Sequence, residues 1–269
     1  MVLSVLLRFI YPPPSNMFVT AMSVISLVSM GNAGIMELKG KHMQYSKLWN
    51  FGVDQKNPAD KKAKISGKTG MIIAYTPAFL AGVTSFVLVP VGNFRFDLLR
   101  SAITIHFFKR ILEVLFVHKF SSWMDTEAAT AISLSYFINS ASMIYSHHLI
   151  QGLPEPQTDL KYVGSLLFLV GISGNFYHHY LLSKLRTKGD KSYKIPQGGL
   201  FSLVICPHYL FEIIGFLGIS CISQTLYPFC FTLGTALYLM GRSCATRQWY
   251  QSKFEDFPTH VKVLIPYVF

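Results

Sequence analysis

Three stretches of the chain set ionisable side chains inside apolar sequence. The first, HFFKRILE, carries His106, Lys109, Arg110 and Glu113. Glu113 lies four residues after Lys109 and three after Arg110, so on a helix these side chains share a face. Lys109 with Glu113 reads first as an intrahelical ion pair, which leaves Arg110 the better claim on a ligand. The second, NFYHHYLLSKLR, carries Asn175, His178, His179 and Arg186. Asn175 and His179 share a helix face and Arg186 extends roughly that stripe, as a polar wall beside a buried ligand would. His178 and His179 are adjacent and project in different directions, whereas chelation on one helix uses i and i+4, so no metal site is expected.

The third stretch, CPHYLFE, sets His208 four residues before Glu212. That spacing suits either a satisfied buried pair or a ligand contact. Pro207 frees a backbone carbonyl beside them, which suits a cavity wall. Further on, GRSCATRQWY carries Arg242, Arg247 and Tyr250. Arginine binds phosphate in a bidentate manner, and Arg242 serves equally as a snorkelling helix-end residue.

The elements that position these groups are read from composition. Hydrophobic residues make up 51% of the chain and charged residues 14%, against the roughly 25% charged of a soluble domain. The net charge of +11 does not indicate nucleic acid, because the basic residues alternate with long apolar runs instead of sharing a polar face. Cys206, Cys221, Cys230 and Cys244 show no paired spacing, so reduced thiols are expected. Arg8 and Pro12–Pro14 interrupt the first apolar run, so no cleaved leader is expected there. A membrane-crossing helix takes about 20 mainly apolar residues. Seven segments qualify: 16–35, 71–92, 96–118, 128–150, 161–182, 200–224 and 226–239. The expected fold is therefore all-α, a single integral-membrane domain over residues 1–269 with seven transmembrane helices.

Charge placement tests that count, because cytoplasmic loops carry the Lys and Arg excess. Segments 36–70, 119–127, 183–199 and the tail from 240 hold 18 of the 24 basic residues, against three on the other side. An N-terminus in the lumen and a C-terminus in the cytoplasm follow. The lysine-rich segment KNPADKKAKISGK reads as a connector facing lipid headgroups. There is no G-x-G-x-x-G opening a βαβ unit, no P-loop and no serine nucleophile elbow. No Rossmann domain is expected.

YKIPQGGLF at 193–201, Glu212, KFEDFP at 253–258 and VKVLIPYVF at 261–269 resemble the C-terminal domain of the steroid 5α-reductase family. HFFKRILEVLFVHKFS at 106–121 is similar to the very-long-chain trans-2-enoyl-CoA reductase branch of that superfamily, so the resemblance spans 106–269. It implies seven transmembrane helices in the endoplasmic reticulum. It also implies hydride transfer from NADPH to a lipid C=C bond conjugated with a carbonyl. Positions matching the family's cofactor contacts are Asn175, Arg186, Tyr193, Glu212, Arg242 and Tyr250, with Lys194 and His208 standing where the steroid branch has Arg and Asn. The steroid branch polarises the carbonyl with a Glu in E-x-P and a Tyr in H-Y-x-x-R. Here these read Tyr75-Thr76-Pro77 and His106-Phe107-Phe108-Lys109-Arg110. Phe107 cannot donate a hydrogen bond, so Tyr75, His106 or Lys109 must replace the pair, with Phe107 and Arg110 against the substrate. The enoyl-CoA branch places its proton donor at the position of Tyr250. The expected function is a 3-oxo-5α-steroid 4-dehydrogenase-like reductase, with a trans-2-enoyl-CoA reductase and a non-catalytic lipid-binding membrane protein as alternatives.

Overall fold

A computed structural model describes residues 6–49, 51, 63–185, 193–258 and 260–269. Among them run seven long helices: α1 (Met17–Leu38), α2 (Gly67–Leu88), α3 (Phe94–Leu112), α4 (Thr126–His148), α5 (Lys161–Lys184), α6 (Pro207–Ser223) and α7 (Leu226–Lys253). Apolar side chains dominate each, and polar caps set several starts. Asn16, Ser66 and Asn93 accept from the backbone N–H of Val19, Thr69 and Phe96, satisfying donors that a helix start leaves open. By length and composition alone, α1 and α2 are long and apolar enough to cross a membrane.

Two helix pairs pack through small residues. A Cβ on Gly164 of α5 would lie 2.6 Å from the backbone nitrogen of Ile222 on α6. One on Gly34 of α1 would lie 2.5 Å from the carbonyl oxygen of Leu237 on α7. These contacts bring backbones together as in membrane helix pairs. Helix α2 packs between α3 and α4. The main apolar core, with Phe96, Leu99, Ile103, Phe107, Phe216 and Phe231, joins α3 to α6 and α7.

Four features depart from the expectations. Helix α3 continues through a wide π-type turn over Glu113–Val117, which widens the helix where Glu113 and Val114 are buried. A two-stranded antiparallel ribbon pairs β1 (Lys64–Ser66) with β2 (Trp123–Asp125) at one end of the bundle. The chain is thus mostly, not wholly, helical. Helix α6 starts at Pro207, not near 200, because proline is suited to a first helical turn. Residues 199–202 form a separate 3₁₀ turn, and Val204 bridges to Lys262. Helix α7 runs 14 residues past its expected end at 239, because Arg242, Ser243, Thr246 and Tyr250 are buried against the rest of the chain. All four cysteines are free. Arg186 and most of the lysine-rich connector lie outside the described residues.

Candidate active site

Four helices and the π turn bring a polar knot together inside the bundle. Glu113, 1% exposed, sits at its centre. Its carboxylate pairs with Lys109 at 3.0 Å and Arg110 at 2.6 Å, and lies 3.1 Å from His179 Nδ1. A carboxylate this buried persists only with such compensation. The Arg110 guanidinium also lies 3.0 Å from His179 Nδ1 and donates to the hydroxyl of Tyr75 on α2. Lys109 donates to Asn175 Oδ1 on α5. Asn175 in turn donates to the His208 carbonyl at 2.8 Å and to Glu212 Oε2 at 3.1 Å, tying α5 to α6. Of the two readings that the His208–Glu212 spacing left open, the direct pair does not form, and Asn175 bridges the His208 carbonyl and the Glu212 carboxylate. His208 Nδ1, buried, has no hydrogen-bond partner.

Tyr75 is 4% exposed and packs against Tyr136 and Phe107, at ring separations of 5.6 and 6.4 Å. The Arg110 guanidinium lies 4.7 Å from its ring centre. Because the Tyr75 oxygen accepts from Arg110, its own proton remains available for donation. His106 is buried between Phe107 and Phe216, at ring separations of 4.9 and 4.8 Å, so its neighbours are aromatic. Of the three expected replacements for the missing carbonyl pair, Tyr75 and Lys109 join the knot through Arg110, Glu113 and Asn175.

Three cavities adjoin the knot and share walls. The first, about 170 Å³, is a basic mouth lined by Lys47, Lys119, Tyr193, Lys194 and Tyr250. It shares Ser46, Lys47, His118, Phe120, Ser122 and Leu182 with a central cavity of about 200 Å³ that Tyr75, Arg110, His179, His208 and Glu212 line. The third, about 290 Å³, is an apolar chamber between α1, α4 and α7, and it shares Tyr45, Tyr75, Tyr136, Glu212 and Tyr238 with the centre. Tyr75 therefore stands where the polar centre meets the apolar chamber.

Arg242 is 2% exposed, and its donors go to Glu37 at 2.7 Å and to the carbonyls of Met43 and Tyr45 at 3.0 and 3.1 Å. It thus fixes the segment that delivers Tyr45 and Lys47 to the cavities. Lys47 Nζ donates to the Tyr250 hydroxyl at 3.2 Å and lies 4.6 Å from its ring centre. Sequence reasoning missed Lys47, Tyr45, Tyr136 and Tyr238. The first two sit in or beside a single 3₁₀ turn with no periodicity to read. The tyrosines look like ordinary helix residues until their positions in the bundle are known. Among the described residues, Glu113, His118 and His179 bring ligand atoms within 4.8 Å of one another. Lys109 and Arg110 already neutralise that carboxylate, which opposes a bound cation there.

Comparison with known proteins matches residues 128–269 to the family described as 3-oxo-5-alpha-steroid 4-dehydrogenase. A very-long-chain enoyl-CoA reductase of Dictyostelium discoideum is 32% identical over 169 residues, 61% of this chain and 55% of that protein. A steroid 5-alpha-reductase of Gossypium hirsutum is 42% identical over 107 residues, 39% and 42% of the two chains. The chain thus spans about half the length of these two curated relatives. A human 3-oxo-5-alpha-steroid 4-dehydrogenase 2 aligns over 250 residues at 24% identity, 91% of this chain and 97% of that protein. With over half its length matched by that family, the chain belongs to the 3-oxo-5-alpha-steroid 4-dehydrogenase family.

Proposed function

We propose that this chain is an integral-membrane reductase that uses NADPH to reduce a lipid carbon–carbon double bond conjugated with a carbonyl, on substrates of the 3-oxo-Δ4-steroid type. The observation that carries this reading is the Tyr75–Arg110 pair in the central cavity, which shares walls with the basic mouth on one side and the apolar chamber on the other. The basic mouth suits the charged part of a water-soluble cofactor and the apolar chamber suits a lipid, and the pair marks where they would meet.

The residues present fit a nicotinamide dinucleotide. Lys47 and Lys194 line the mouth, and Arg186 belongs to the same basic side by sequence, so these would hold phosphates. The unpartnered His208 Nδ1, beside the carboxylate of Glu212, offers the mixed donor and acceptor set that an amide group takes. When bound, the nicotinamide supplies a hydride to the substrate's β-carbon. The protein's part is to stabilise negative charge growing on the carbonyl oxygen. Tyr75 donates to that oxygen, and Arg110 behind it keeps the hydroxyl oriented and offsets the charge. Glu113 holds Arg110 in place from the other side. Arg242 acts at a distance, by fixing the Tyr45–Lys47 segment against Glu37.

A second reading, reduction of a trans-2-enoyl-CoA, is favoured by one contact. Tyr250, which accepts from Lys47 at the basic mouth, would give a proton to the α-carbon of a thioester entering from that side. In both readings the chain is a single domain of seven spans in the endoplasmic reticulum, its C-terminus cytoplasmic. NADPH oxidation by the purified protein, measured against 3-oxo-Δ4 steroids and trans-2-enoyl-CoA thioesters, tests the assignment. Steroid-dependent consumption is expected. Consumption with thioesters only would transfer the assignment to the second reading, and none with either class would refute both.

A further inference from the structure

His118 stands between the basic mouth and the central cavity and lines both. Its side chain is 21% exposed, so the ring is packed into the wall yet still reached from outside. The π-type turn places it there. The His118 backbone N–H donates to the Glu113 carbonyl, five residues back, at 2.8 Å. On a regular α-helix a residue five positions on points roughly 140° away. The wider turn brings His118 back over Glu113, and such turns recur at functional sites. His118 Nε2 lies 3.9 Å from Glu113 Oε2, and its ring meets that of His179 on α5 edge to face at 4.8 Å. Glu113 is already bonded to Lys109 and Arg110 on the same helix, so His118 is not held as a fixed ion-pair partner. A neutral imidazole keeps one N–H to give and one bare nitrogen to receive.

Addition of a hydride leaves the substrate with one negative charge, so each turnover must also bring in one proton for the α-carbon. A cofactor seated in the mouth closes the direct way for water, and the proton then needs a carrier embedded in the wall. We propose that His118 is that carrier. It accepts a proton from water at the mouth on one ring nitrogen and releases the proton on its other nitrogen into the central cavity, where the α-carbon of the enolate takes it. Glu113 offsets the imidazolium charge during the transfer. This rests on the reductase reading and adds the source of the second hydrogen.

The test compares purified wild-type protein with His118→Gln and His118→Ala, on whichever substrate class the wild type reduces. NADPH binding, followed by fluorescence without substrate, and thermal unfolding should both stay near wild type. In each variant kcat should fall about 100-fold, the lower end of what a positioned proton donor contributes. Added imidazole, a diffusible carrier, should restore much of the loss in His118→Ala. For His118→Gln, replacing H2O with D2O should slow turnover more than it slows the wild type, because proton delivery has become limiting. A kcat within about twofold of wild type in both variants overturns the inference while reduction still stands. So does a loss that imidazole does not relieve and that brings no added solvent isotope effect. A wild-type protein that oxidises NADPH with neither substrate class overturns the reductase reading, and the inference with it.

Discussion

Replacing Tyr75 with phenylalanine removes one oxygen atom from the centre of the site. The ring contacts with Tyr136 and Phe107 persist, and Arg110 keeps its bonds to Glu113 and His179. The fold should therefore hold, at a cost of about 1–3 kcal/mol for the guanidinium donor left without its acceptor. Catalysis should suffer more than stability. A hydrogen bond to an oxygen that becomes charged contributes about 1.5–3 kcal/mol, which corresponds to roughly 10- to 100-fold in rate. Because that charge exists only once the hydride has moved, the loss should fall mainly on kcat, with a smaller rise in the KM for the lipid. Steady-state NADPH oxidation at saturating cofactor measures both, with folding checked by thermal unfolding. Turnover of Tyr75→Phe within twofold of wild type would refute the assignment of Tyr75 as the carbonyl donor.

Glu113→Gln should destabilise the protein by about 3–5 kcal/mol, because it strips the buried counter-charge from Lys109 and Arg110; thermal unfolding in detergent reads the effect. Lys47→Ala should raise the NADPH requirement about tenfold with little change in unfolding temperature, whereas Arg242→Ala should lower the unfolding temperature sharply by taking the buried arginine charge from Glu37 and the donors from the Met43 and Tyr45 carbonyls; the reverse pattern would contradict the roles given to the two cations. At the opposite end of the bundle, Arg95 binds Glu155 at 2.8 Å and Asp159 at 2.7 Å. The hydrogen bond from Arg95 holds the Glu155 carboxyl below its ordinary value of 4.5. Burial works against Asp159, but hydrogen bonds from Lys161 and the charge of Arg95 hold it below 3.8. Both folded values are depressed, so their contribution is fully present above about pH 5, begins to fade below the unfolded values and is lost as pH falls through the folded ones. Arg95→Met should flatten the acid limb of a stability profile recorded between pH 3 and 7.

Much of the helix count was legible in the hydrophobic runs, and each of the seven expected segments overlaps one of the seven long helices among the described residues. The boundaries failed where tertiary contacts decide them. Pro207 starts α6 late, and the buried polar face of Arg242, Thr246 and Tyr250 carries α7 well past its apolar run. Three-residue strands at 64–66 and 123–125 are too short to leave a periodic signal. Within the site, the Lys109–Glu113 pair was readable because both partners lie on one helix. The contacts of Arg110 with Tyr75 and His179 cross between helices, and no spacing encodes them. Arg242 shows the limit of residue type. Its chemistry suits phosphate, but Glu37, 205 positions away, occupies its guanidinium in the fold.

If the proposed function holds, a hydride should reach the β-carbon of an enone whose oxygen rests against Tyr75. The most direct measurement supplies NADPH carrying deuterium at both C4 positions of the nicotinamide, a 3-oxo-Δ4 steroid and ordinary water, and locates the label in the product by NMR. The expected product is a saturated ketone with one deuterium at the β-carbon and a solvent hydrogen at the α-carbon, formed far more slowly by Tyr75→Phe. Deuterium on the carbonyl carbon, giving an unsaturated alcohol, or no deuterium in any product, would contradict it.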